Sequence, residues 1–81
     1  MKVRVHFYAQ LRDLAGTAER EVELREGARI GDLLELLYED QPVLRQQDKT
    51  ILVGAGLEFV DRNHALKEGE EIAVMPPVQG G

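Results

Sequence analysis

The chain has 81 residues, 43 % of them hydrophobic, with 15 acids against 10 bases for a net charge of −5. That suits one domain with one modest core rather than a disordered chain, and the interleaved charges leave no basic face to displace counterions from nucleic acid. Neither cysteine nor serine occurs, which excludes disulfides, zinc–thiolate sites, a thiol nucleophile and any Ser-His-Asp arrangement.

The opening MKVRVHFYAQ alternates charged and apolar residues and so is no signal peptide. Val3, Val5 and Phe7 face one way, and Lys2, Arg4, His6 and Tyr8 the other, as in a half-buried strand. Gly16-Thr17 is the turn signal in AQLRDLAGTAE, so the chain is expected to reverse there. REVEL follows as a second strand with Val22 and Leu24 inward, and the short link favours an antiparallel hairpin. RIGDLLELLYED has helical spacing: Ile30, Leu33, Leu34 and Leu37 share one face, while Asp32, Glu35 and Glu39 line the wet one. This helix lacks a good N-cap, because Ala28 or Arg29 stands where Ser or Thr would serve; Asp32 in the first turn partly compensates. Pro42 ends the helix or opens another short helical turn with Val43 and Leu44.

TILVGAG reads as a short apolar strand, LEFV as another, and DRNH and the residues around Gly69 as turns. EIAVM is the last strand, with Ile72 and Val74 inward and Ala73 and Met75 outward; Pro76-Pro77 then ends any ladder. This order predicts a two-layer α+β fold, a mixed sheet of four to five strands with one main helix across it, and it fits a β-grasp roll. The last strand is expected beside the first. Residues 1–75 would form the domain and residues 76–81 a flexible tail.

Few side chains suggest chemistry. No carboxylate has an apolar setting that would raise its pKa, and Glu19, Glu21 and Glu23 look like solvated decoration. His6 and His64 lie far apart without further ligands, which predicts no metal site. Val53 to Gly56 lacks both GxGxxG and the P-loop Lys-Ser/Thr, and reads as a strand end. Phe59 and Met75 remain as candidates for an apolar docking patch beside the tail.

The tail itself is the strongest feature. Pro76-Pro77 favours extended polyproline geometry, Val78 and Gln79 are the linker, and Gly80 and Gly81 can enter a channel too narrow for other residues. The terminal carboxyl carbon is unhindered, and becomes electrophilic once a partner with ATP makes its oxygen a leaving group. The competing explanation of these residues is a frayed end.

FYAQLRDLAGT (Phe7 to Thr17), ALKEGEEIAV (Ala65 to Val74) and the terminal PPVQGG resemble the MoaD/ThiS family of ubiquitin-like β-grasp sulfur carriers, on the branch that serves molybdopterin synthase. The resemblance implies a carrier without activity alone, a subunit and co-substrate of that sulfurtransferase. Its Gly81 would be adenylated by a MoeB/ThiF-like enzyme using ATP, converted to a thiocarboxylate by a sulfur donor, and inserted into a MoaE-like large synthase subunit to build the dithiolene. It implies no bound cofactor or metal, a cytoplasmic location, no nucleic-acid or membrane partner, and partner contacts near Phe59 and Met75. Leu11 to Gly16 would be a secondary contact. Relatives that carry sulfur for thiamin, cysteine or transfer-RNA thiolation, or are conjugated to lysines as ubiquitin-like modifiers, keep those alternatives open, as does a plain interaction module with an incidental tail.

Overall fold

The computed structural model describes residues 1–77. Five strands form one mixed sheet: β1 (Lys2–Phe7), β2 (Glu19–Glu23), β3 (Leu52–Ala55), β4 (Glu58–Val60) and β5 (Glu71–Met75), in the spatial order β2-β1-β5-β3-β4. β1 and β5 are parallel neighbours, and the remaining pairings are antiparallel. The last strand therefore lies beside the first at the centre, as expected, and β5 ends at Met75. Residues 78–81 of the predicted tail lie outside the described residues.

Helix α2 (Ile30–Asp40) covers one face of the sheet. Ile30, Leu33, Leu34 and Leu37 are buried against Val3, Val5, Phe7, Ile72 and Val74, the inward positions read from alternation. Each such side chain contributes roughly 1.5–3 kcal/mol by leaving water. Tyr38 carries this core into the last turn of α2, and Leu44, on the short 3-10 helix Pro42–Gln47, extends it beyond.

Two local expectations change. The link between β1 and β2 is not a bare turn: it contains α1 (Gln10–Ala15), whose Leu11 is fully buried. Gly16 ends it in the left-handed conformation (φ 79°), donating its N–H to Arg12 O at 3.0 Å, which is the helix-stop role that suits glycine. Only the six residues of α1 separate the reversal from the simple turn that Gly16-Thr17 suggested, and so short a segment shows little periodicity.

The second change concerns the start of α2. Its unpaired amides are satisfied by a loop instead of a capping side chain. Ile30 N donates to His64 O and Gly31 N to Arg62 O, both at 3.0 Å, and Leu66 N returns a bond to Ala28 O at 2.9 Å. Arg29 N donates to Asp32 Oδ2 at 2.8 Å, and its guanidinium reaches Asn63 O at 2.7 Å. The DRNH turn is thus the cap of a helix thirty residues earlier, a long-range answer to the missing Ser or Thr.

A polar knot holds that loop down. The Tyr38 hydroxyl donates to Asp48 Oδ1 at 2.6 Å, Arg62 donates to the same oxygen at 2.8 Å and to Asp48 O at 2.7 Å, and Arg45 sits 5.1 Å above the Tyr38 ring. The hydrogen bond from Tyr38 and then that from Arg62 hold the Asp48 carboxyl below the usual carboxylate range, while burial first and Asp48 second push the Tyr38 phenol up.

A carboxyl with a lowered folded-state pKa adds stability above its unfolded value, about 3.9, and loses it as pH falls through the folded one. Asp48→Asn should therefore unfold at lower urea than the native chain at neutral pH, and the gap should close on acidification below about pH 4. A gap unchanged by pH would mean that charge plays no part. Truncating fully buried Leu33 to Ala should lower the unfolding free energy by about 2–5 kcal/mol in the same titration.

Candidate functional site

The outward face of the sheet is divided. Cross-strand register places Phe59, Gly54, Ala73, His6 and Glu19 in one row across all five strands. On the β1–β2 side the face is charged. Arg4 lies 2.9 Å from Glu19 and 3.7 Å from Glu21, and His6 touches Glu71 at 2.8 Å and Glu19 at 3.4 Å. Glu19 and Glu21 are thus paired on the surface, where such contacts stabilise weakly. On the β5–β3–β4 side the face is apolar.

Gly54 and Ala73 supply almost no bulk in the middle of that apolar half. A Cβ on Gly54 would stand 3.3 Å from Met75 Cε, so the bare glycine lets the Met75 side chain lie across the sheet. The result is a shallow hollow of about 200 Å³ lined by Tyr8, Gly54, Leu57, Phe59, Ala73 and Met75. Phe59 is 67 % exposed, although its ring would bury readily elsewhere. Leu57 is wholly exposed at the tip of the β3–β4 hairpin, where Ala55 pairs with Glu58 across only Gly56 and Leu57. Gly56 takes φ 64°, as the first position of such a two-residue turn requires.

Met75 joins this hollow directly to the end of β5. Its strand partner is Leu52, and Pro76 and Pro77 follow it, both half-buried. Tyr8 closes the opposite side: its N–H donates to Val74 O at 3.2 Å, and Ala9 then turns the chain sharply into α1 with a positive φ of 52°. Phe59 and Met75, predicted as a patch, are therefore brought together, and the route from the hollow to the last residues is a few positions of chain. Val78, Gln79, Gly80 and Gly81 lie outside the described residues.

Three contributors escaped the sequence reading. Tyr8 was visible as an outward residue, but nothing in its strand says that Phe59 shares its face. Leu57 needed the two-residue hairpin, and Gly54 needed the register. One expectation fails in part: Leu11 and Ala15 are core residues, so the stretch from Leu11 to Gly16 has only its Arg12, Asp13 and Gly16 positions fully on the surface for a secondary contact. The two histidines are far apart in role as in sequence, since His64 pairs with Glu70 at 2.9 Å and not with His6 or its carboxylates. Among the described residues no group of three potential ligands could hold a metal ion, and no helix is long and apolar enough to cross a membrane. Val53 to Gly56 is β3 and its turn.

Similar chains exist. The chain is 36 % identical to the molybdopterin synthase sulfur carrier subunit of Chlamydomonas reinhardtii, with all of both chains aligned. A putative molybdopterin converting factor subunit 1 from Pyrococcus furiosus superimposes with a TM-score of 0.88 at 32 % identity, covering 96 % of this chain and 99 % of that one. The small archaeal modifier protein 1 of Haloferax volcanii superimposes with a TM-score of 0.83 at 25 % identity, covering 95 % and 98 %. The architecture is the ubiquitin-like β-grasp. The model of the ThiS family matches residues 5–81, from within strand β1 to the final glycine, and the chain belongs to that family.

Proposed function

We propose that the chain is the sulfur carrier subunit of a molybdopterin synthase, and that its working group is the carboxyl of Gly81. The observation that carries this reading is full-length identity of 36 % to a sulfur carrier subunit of that synthase, with no part of either chain left over. The placement of an exposed apolar hollow beside the root of the terminal segment supports it.

The chemistry balances without a side chain from this protein. A Gly81 carboxylate oxygen attacks the α-phosphorus of ATP held by an adenylating partner, and pyrophosphate leaves. A sulfur nucleophile at the sulfide level, delivered by a donor, displaces AMP from the acyl carbon and leaves a thiocarboxylate. That sulfur attacks an electrophilic carbon of the pterin precursor in the large synthase subunit and displaces its oxygen substituent, which leaves as water; a second water then cleaves the acyl–sulfur bond, leaving the sulfur on the pterin as a thiol and regenerating the carboxylate. The carrier binds no cofactor and contributes delivery, holding a reactive sulfur against its acceptor at high effective concentration. The hollow around Phe59 and Met75 gives the adenylating enzyme and the large subunit a common apolar grip, with depleted charge at its centre as interfaces of this sort have.

Conjugation is the second reading, favoured by the likeness to a small archaeal modifier protein. There a lysine amine, not sulfur, would take the Gly81 acyl group. Intact-mass measurement of protein from its native cell separates the two. Exchange of one oxygen for sulfur supports a carrier, ladders on other proteins support a modifier, and co-purification with a pterin-binding subunit separates this carrier role from carriage for thiamin, cysteine or transfer RNA.

Deleting Gly81 should abolish dithiolene formation in a reconstituted synthase while the thermal midpoint stays within about a degree, because chain-terminal residues add little stability. Retained activity would refute the assignment of the working carboxyl. Phe59→Ser should raise the KM of the adenylating enzyme for this chain by about tenfold or more, as loss of an aromatic anchor does, with little change in midpoint given its exposure. An unchanged KM would place the grip elsewhere.

A further inference from the structure

The outer edge of β2 has no strand beside it among the described residues. Its hydrogen-bond phase is set where Met1 N donates to Leu24 O at 3.0 Å and Leu24 N returns to Met1 O at 2.7 Å. At the other end Phe7 N donates to Ala18 O at 2.8 Å. Bonded and unbonded pairs alternate in an antiparallel ladder. With Lys2 opposite Glu23 and Arg4 opposite Glu21, Val3–Val22 and Val5–Arg20 are the bonded pairs, and the N–H and C=O of Glu19, Glu21 and Glu23 point outward. The Thr17 hydroxyl donates to Glu19 O at 2.9 Å and occupies that carbonyl. Glu21 and Glu23 present both groups to the edge.

Beside Glu23, between β2 and α2, lies a hollow of about 570 Å³. Its floor is Leu24, Ala28 and the partly exposed Leu36, and its rim carries Glu23, Asp32, Glu35 and Glu39 against a single Arg25. Arg25 is 3.5 Å from Asp32, and Glu35 is met by Arg45 at 3.0 Å, while Glu23 and Glu39 have no ion-pair partner among the described residues. An ion pair from Arg20 to Asp40 ties β2 to the end of α2 away from the hollow.

We propose that this edge and hollow form a second docking site, which takes an extended basic–apolar strand from another protein. The strand would add to β2 through the free groups of Glu21 and Glu23. Its apolar side chains would cover Leu24 and Leu36 on the helix side, and the alternating lysines or arginines would lie on the other side against Glu21 and Glu23. Charge complementarity selects this occupant. A second copy of the chain is opposed, because symmetric pairing of two β2 edges sets glutamate against glutamate. The position matters as well. β2 runs antiparallel to β1, and β5 parallel to it, so Glu23 lies at the end of the sheet opposite Met75. A protein held there leaves the Phe59 hollow open, so the chain can be gripped by two proteins at once. This inference rests on the edge geometry and does not depend on the fate of Gly81.

The test is a titration of the isotope-labelled full chain with an eight-residue peptide of alternating Lys and Val, followed by NMR. Binding should shift the amides from Glu19 to Leu24 and that of Leu36, and should slow hydrogen exchange at Glu21 and Glu23. A peptide of alternating Glu and Val should cause no shifts, and N-methylation of alternate Lys/Val-peptide amides should abolish the slowed exchange. A chain carrying both Glu21→Lys and Glu23→Lys should bind about tenfold or more weakly. Three results would overturn the proposal: shifts without slowed exchange, which mark attraction to a charged face alone; shifts centred on Phe59; and equal affinity for the N-methylated peptide.

Discussion

The parallel pairing of β1 with β5 is the constraint from which the rest follows. It puts the last strand of the chain at the centre of the sheet, flanked by β1 and β3. Ile72 and Val74 are consequently among the most buried residues, packed under α2 with Val3, Val5 and Phe7. A strand that ended the chain at a sheet edge could fray with its terminus. Here the residues immediately before the terminal segment are locked on both sides by ladders and from above by a helix, and the segment starts from a fixed point. Pro76 and Pro77, without N–H groups, then stop the ladder within one residue of Met75.

The same central position explains why the apolar hollow lies where it does. Outward residues of β5 alternate with Ile72 and Val74, so Ala73 and Met75 must face the uncovered side. Large side chains on all neighbouring strands would fill that side and leave nothing for a partner to bury. Gly54 and Ala73 remove the bulk, and Phe59, Leu57 and Tyr8 form the raised margin. The charged half of the face serves the opposite purpose. Its Arg4, His6, Glu19 and Glu71 contacts are satisfied within the chain, so a partner gains little by covering them and is steered toward the apolar half.

Much of this was legible in the residues, and the reasons for the gaps are physical. Strict alternation in KVRVHF and EIAVM, and the i, i+3, i+4, i+7 leucines of α2, are local signals generated by burial on one face, and they located the core with its inward side chains. The start of α2 is different. Its amides are bonded by Arg62 and His64, which lie beyond three further elements, and no window of sequence around Arg29 contains them. α1 has a single turn and a half, too few positions for a period to show. The hollow fails to appear in sequence for the same reason as the cap: Phe59, Gly54 and Ala73 share a row only because of register across three strands. Alternation in REVEL shows where Glu21 and Glu23 point and is silent about which backbone groups of β2 lack a partner.

Central insertion of the last strand also ties presentation of the terminal segment to completion of the fold. β1 cannot acquire its β5 neighbour until nearly the whole chain is available, and contacts of such sequence separation form late because loop closure must precede their reward. Without β5 the sheet divides: β1 keeps β2, β3 keeps β4, and the row from Phe59 to His6 loses Ala73, the residue that joins its two halves. The hollow around Phe59 and Met75 would vanish with it. A partner that recognises that hollow therefore recognises a chain whose core is closed, and it does so through the very strand that carries the final residues. Reading the fold and reaching the terminus would then be one event, which is a physical reason why the proposed grip on the outward side of β5 suits a carrier.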